Sequence, residues 1–123
     1  MISILIPCHN FNAYPLALIL EKQALLLDVN FEIICSDDGS FSLKNEENQK
    51  INLLTNSKFI ELKKNIGRIQ NRIFLAEKAQ YDWLIFLDVD SKPKKNDYLK
   101  KYISNIGKSD FVFGGNEFKY NLK

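Results

Sequence analysis

The chain has 123 residues, 46% hydrophobic and 26% charged, which is enough apolar material for one domain with a real core and too much for a disordered chain. Its 17 basic and 15 acidic residues leave a formal charge of +2, without the concentrated positive charge of a dedicated nucleic-acid binder. Two cysteines without a CxxC spacing indicate neither a disulfide framework nor a zinc site, and no apolar run is long enough to span a bilayer. A soluble protein with reduced thiols is expected, cytoplasmic and at most peripheral to the inner face of the membrane.

Ile2 to Ile6 is a β-branched apolar run before Pro7 and predicts a buried first strand that ends at the proline. Pro15 stands where a first helical turn tolerates it, and Leu16, Ile19, Leu20 and the stretch from Gln23 to Leu27 follow with helical spacing. Phe31 to Cys35 predicts a second strand, with Ser36-Asp37-Asp38-Gly39-Ser40 as the turn after it. A short helix is expected in the polar stretch from Lys44 to Lys50, then a third strand over Lys58 to Leu62.

Past Asn65-Ile66-Gly67, the spacing of Ile69, Ile73, Phe74, Leu75 and Ala76 predicts an amphipathic helix with a glycine at its entrance. Trp83 to Leu87 is the most apolar run and predicts a fourth strand, cut off by Asp88-Val89-Asp90-Ser91 and then Pro93. A last helix is expected over Asn96 to Ile106 and a fifth strand over Asp110 to Phe113, stopped by Gly114-Gly115. Continuous apolar strands alternating with amphipathic helices imply an α/β fold, a mainly parallel sheet with helices on both faces, in a single domain spanning residues 1–123.

In such sheets ligands sit outside the carboxyl ends of the strands, where loops and helix N-termini converge. There the chain places Pro7-Cys8-His9-Asn10, Asp37-Asp38, Asn65 with Gly67, and Asp88-Val89-Asp90. An aspartate at one strand end is usually a turn-former or cap, but two acidic pairs on one edge need donor hydrogen bonds or a cation to be stable together. A hard divalent cation bridging diphosphate oxygens is the natural partner, with the carboxylates expected to meet around one ion.

These segments resemble glycosyltransferase family 2, of GT-A fold. The resemblance is carried by Ile4-Leu5-Ile6-Pro7-Cys8-His9-Asn10, Ile33-Ile34-Cys35-Ser36-Asp37-Asp38-Gly39-Ser40, Asn65-Ile66-Gly67 with Arg72, and Leu84-Ile85-Phe86-Leu87-Asp88-Val89-Asp90, in the family's order and spacing. It implies a Rossmann-like nucleotide-binding half that takes a nucleotide-sugar donor, a UDP-sugar first, for transfer to a sugar or lipid-linked acceptor hydroxyl. Pro7 and His9 would border the base, Asp38 would hydrogen-bond it with Asp37 alongside, and Gly67 and Arg72 would lie near the base and diphosphate. Asp88 would face the ribose or share the metal, and Asp90 would be the stronger ligand of a Mn2+ or Mg2+ ion. His9, the only histidine, would make contact and transfer no proton.

The chain departs from the family pattern at Phe41, where Thr is common, at Asn71 and Ile73 around Arg72, where Ala and Asn are common, and at Ser91, where Asp is frequent. The family's acceptor-binding part and its carboxylate base lie downstream of a segment like Gly114-Gly115, so no catalytic residue is assigned and the chain is expected to lack that part. A non-catalytic nucleotide-binding or assembly module that keeps the donor pocket is the alternative. A haloacid-dehalogenase-like phosphatase would open with its Asp-x-Asp, and a receiver domain would carry its acidic pair after the first strand. Neither matches.

Overall fold

The computed structural model describes residues 1–93 and 96–104. At its centre is β1 (Ile2–Cys8), with β2 (Phe31–Asp37) on one side and β4 (Trp83–Phe86) on the other, and β3 (Ser57–Glu61) lies outside β2. All three pairings are parallel, in the order β3-β2-β1-β4.

Side chains alternate across this sheet, and the two faces receive different helices. Ile2, Ile4, Ile6 and Cys8 of β1 pack with Ile33 and Cys35 of β2 beneath α1 (Tyr14–Leu27) and α4 (Tyr98–Ile103). Leu5 and Ile34 face the other way and meet Leu75 of α3 (Arg68–Lys78). The expected α/β fold, parallel and covered on both faces, is therefore the observed one. Each fully buried isoleucine contributes at most about 2–3 kcal/mol by area removed from water.

Local boundaries differ from the sequence reading, each for a physical reason. Strand β1 does not stop at Pro7 but runs through it to Cys8, with Pro7 opposite Ser36 of β2. Leu5 accepts from the Leu87 N–H on the β4 side at 2.9 Å, so Pro7, two residues on, turns its missing N–H to that same side. The paired part of β4 ends opposite Leu5, so no ladder bond is lost there. Strand β2 continues to Asp37, fully buried along its length, so Ser36 and Asp37 are strand residues and the turn begins at Asp38.

The polar link forms α2 (Asn45–Asn48) and a 3-10 turn over Gln49–Leu53, anchored by Asn48, whose side chain accepts from the Ala13 N–H and donates to the Phe11 carbonyl. Strand β3 begins and ends one residue earlier than expected. Strand β4 ends at Phe86, and its apolar composition does not translate into full burial, because Leu84 and Phe86 are more than a third exposed. Helix α4 begins at Tyr98. The expected end of that helix, the strand over 110–113 and the glycines after it fall outside the described residues. Among the described residues no helix is long and apolar enough to cross a membrane.

Candidate functional site

The chain builds β1, β2 and β3 outward in one direction, then returns to place β4 on the opposite flank of β1. The strand order therefore reverses between β1 and β4, and the region beyond their carboxyl ends is the position where open parallel sheets bind ligands. His9 and Asn10 follow β1, Asp38 follows β2, Lys63 to Gly67 follow β3, and Leu87 to Ser91 follow β4, so the polar segments share one rim.

Asp37 is a structural anchor of that rim. Its buried carboxylate accepts from the Asn10 N–H at 3.2 Å, the Ser40 N–H at 2.9 Å and the Ser40 hydroxyl at 2.7 Å. Burial alone would raise its pKa, but donation from Ser40, from Asn10 and from the Asn45 side chain outweighs that and holds the carboxyl below its ordinary range. These bonds pin the β2 turn to the loop after β1, where Asn10 takes the left-handed conformation (φ 53°).

Asp38, the next residue, ties the same turn to the entrance of α3. Its two carboxylate oxygens accept from the Ile66 N–H at 2.7 Å and the Gly67 N–H at 3.0 Å. Its own N–H donates to the Cys8 carbonyl, and its carbonyl accepts from the Asn65 amide at 3.0 Å. The exposed His9 ring approaches that carbonyl through Nδ1 at 3.2 Å. The contact is close because of Gly39: with φ +63°, a Cβ there would lie 2.3 Å from the Lys64 carbonyl carbon. Gly67, the residue immediately before α3, also has positive φ, +95°.

On the other flank, Arg72 donates to Asp88 Oδ1 at 2.9 Å, and its guanidinium lies 5.6 Å from the centre of the Phe86 ring. Both partners are a third exposed or more. The Ser91 N–H donates to the Asp88 carbonyl, closing a turn on which Asp90 stands exposed. Cys8 and Cys35 lie against each other beneath the rim as free thiols; their contact lowers the Cys8 pKa, while burial raises that of Cys35 well above the ordinary range.

The residues singled out from the sequence thus fall into two groups. His9, Asp38 and Gly67 are joined by direct bonds, with Asp37 pinning the adjoining loops and Pro7 in β1 opposite Ser36, while Arg72 and Asp88 form a separate pair at the turn that carries Asp90. The expectation that all the acidic groups meet around one ion is corrected: Asp37 and Asp38 are each satisfied by N–H donors. Among the described residues no three His, Cys, Asp or Glu side chains are grouped to hold a metal. Asp88 and Asp90 remain as a pair on one turn, a set that suits a magnesium-like ion sharing its shell with phosphate and water and does not suit a closed protein cage.

Sequence reasoning placed Asn10, Ser40 and Asn65 at the strand ends without giving them a role, read Ser36 as part of the turn, and noted Asn71 only as a departure from the family pattern. The first three act mostly through backbone or turn bonds, which composition does not reveal beyond the preference of such residues for turns. The Ser36 hydroxyl donates to Asn71 Oδ1, and Asn71 Nδ2 donates to the Ser36 carbonyl at 3.2 Å.

The fold is shared with S. aureus TarS. The crystal structure of TarS 1-349 superposes with a TM-score of 0.70 at 24% identity, covering 87% of this chain and 32% of that one. The same fragment in complex with UDP-GlcNAc gives a TM-score of 0.70 at 24% identity, covering 87% of this chain and 31% of that one. TarS itself gives 0.65 at 24% identity, with 87% and 19% covered. The chain therefore spans about a third of the length of TarS 1-349 or less of the longer protein. A search of curated proteins gives no match. The model of the family described as "Glycosyl transferase family 2" matches residues 3–121, nearly the whole chain, and the protein belongs to that family.

Proposed function

We propose that this domain holds a nucleoside diphosphate sugar, UDP-linked by preference, in the crevice between the ends of β1 and β4, and presents the sugar for transfer to an acceptor hydroxyl. The observation that carries this reading is the arrangement around the switch point: Asp38 on one flank, the Arg72–Asp88 pair on the other, and His9 just past the end of the strand between them. TarS, which shares the fold, is known in complex with UDP-GlcNAc and with UDP, and we propose the same class of donor here.

Each Asp38 oxygen accepts one backbone N–H, and a carboxylate has about four lone-pair sites, so each keeps capacity for a base N–H such as that of uracil. Pro7 and His9 wall the base. Asp90 and Asp88 would hold a Mn2+ or Mg2+ ion beside the diphosphate. When bound, such an ion neutralises charge that develops on the departing diphosphate. Arg72, already paired at the same end of the crevice, supplies a second positive group within reach of the diphosphate. No described residue is assigned as the base that deprotonates the acceptor.

Isothermal titration with UDP in Mn2+ tests the reading. Saturable binding that weakens at least about tenfold in EDTA, or in D90A, is expected, a change of about 1.4 kcal/mol. Absence of binding at millimolar UDP with Mn2+ present would overturn it.

A further inference from the structure

The contact between β2 and α3 contains two polar side chains where packing alone would place apolar ones. Ser36 is completely buried near the end of β2, and Asn71 is 2% exposed in the first turn of α3. One step deeper on each element the contact is apolar: Ile34 on β2 and Leu75 on α3 share a cluster with Leu5. A buried polar pair is costly unless fully bonded, and this one is bonded in both directions. An aliphatic contact such as Leu75 against Ile34 tolerates sliding and rotation; an amide that accepts from the Ser36 hydroxyl and donates to the Ser36 carbonyl does not.

We propose that Ser36 and Asn71 are positioning residues that set the height and rotation of α3 so that Arg72 is delivered to the rim beside Asp88. The inference rests on the donor-binding reading and deepens it. Arg72 follows Asn71 directly, so any rotation of the helix at Asn71 carries the guanidinium with it. The entrance of α3 is held at a second point, where Asp38 accepts from Ile66 and Gly67 and the Asn71 N–H donates to the Gly67 carbonyl. Two points fix an orientation that one cannot. The Arg72 contacts themselves are too weak and too exposed to orient a helix, since a pair of this kind contributes at most about 1 kcal/mol.

The test is a double-mutant cycle on the 123-residue protein, read by titration with UDP and Mn2+, with urea unfolding to verify folding. N71A should weaken UDP about 3- to 10-fold in the wild-type background and add nothing in an R72A background, which is the mark of acting through Arg72. S36V/N71A, which replaces both members by apolar groups, should recover most of the stability lost in N71A while UDP stays weakened. S36A, which leaves the helix untouched, should move affinity in the same direction by a smaller factor.

If N71A weakens UDP equally in both backgrounds, or leaves affinity unchanged while lowering stability, the dyad is only a packing feature and the proposal is overturned. If the wild-type protein binds no UDP, it is the donor reading that has failed. The dyad is then read by nitrogen-15 resonances of the Arg72 guanidinium: slowed rotation in the wild type and averaged signals in S36V/N71A support it, and identical signals refute it.

Discussion

Arg72 pairs with Asp88 at 2.9 Å across the rim while its guanidinium covers the Phe86 ring, so a cation of α3 is stored against the end of β4. The pair joins α3 to the edge strand β4, whose Leu84 and Phe86 are left more than a third exposed.

Because both members are well exposed, the pair is a feature of the site more than of the fold. R72A should change stability by no more than about 1 kcal/mol. The same substitution should weaken UDP with Mn2+ by about tenfold, through loss of a positive group beside the diphosphate. Urea unfolding and titration on the same sample separate the two effects. A large loss of stability with unchanged affinity would contradict this assignment.

Asp38 is expected to matter for both. In D38A the Ile66 and Gly67 N–H groups lose their acceptor at a partly buried point, which costs about 1–3 kcal/mol. D38N retains an acceptor oxygen but turns its amide protons toward a second N–H donor, so it should also destabilise. The urea midpoint reports the first quantity. Both variants should lose UDP affinity more than R72A does.

Asp37 sets a pH dependence. Its folded-state pKa is lowered, so the stability it contributes is fully present above its unfolded pKa, about 3.9, and is lost as pH falls through the lower folded value. Wild-type stability should therefore fall in the acid range below about pH 4. D37N should be less stable than wild type at pH 7, since an amide cannot replace a carboxylate that accepts from Asn10 and Ser40 together, and it should lose less on acidification. Urea midpoints at a series of pH values give both curves; parallel curves would refute the assignment.

Two glycines with positive φ should behave differently. G39A puts a methyl group 2.3 Å from the Lys64 backbone and strains φ as well, a combined cost of about 2–4 kcal/mol. G67A meets no atom within 4 Å and carries only the backbone strain, about 1–2 kcal/mol. Thermal unfolding of the two variants should rank them in that order.

Most of the architecture was legible in the residues because hydrophobic periodicity and punctuation act locally. Alternating apolar runs, the glycine at 67 and the aspartates after Phe86 were enough to place strands, helices and the polar rim. Pro7 shows the limit. A proline inside a run reads as a stop, yet β1 passes through it, because the neighbour that would have needed its N–H has already ended. Ser36 and Asp37 read as a turn by composition and became buried strand because β1 and β3 pair with them on both sides.

The sequence by itself determined an α/β chain whose acidic and glycine-rich segments gather at the strand ends, since that pattern depends only on residues close together in the chain. Tertiary structure alone decided which group answers each carboxylate: Asp38 takes N–H groups 28 and 29 residues away, Asn10 reaches Asp37 across 27, and Arg72 finds Asp88 across 16. The reason is that strand order dictates which loops become neighbours. A hydrogen-bond partner, unlike a hydrophobic period, exists only once those loops have met.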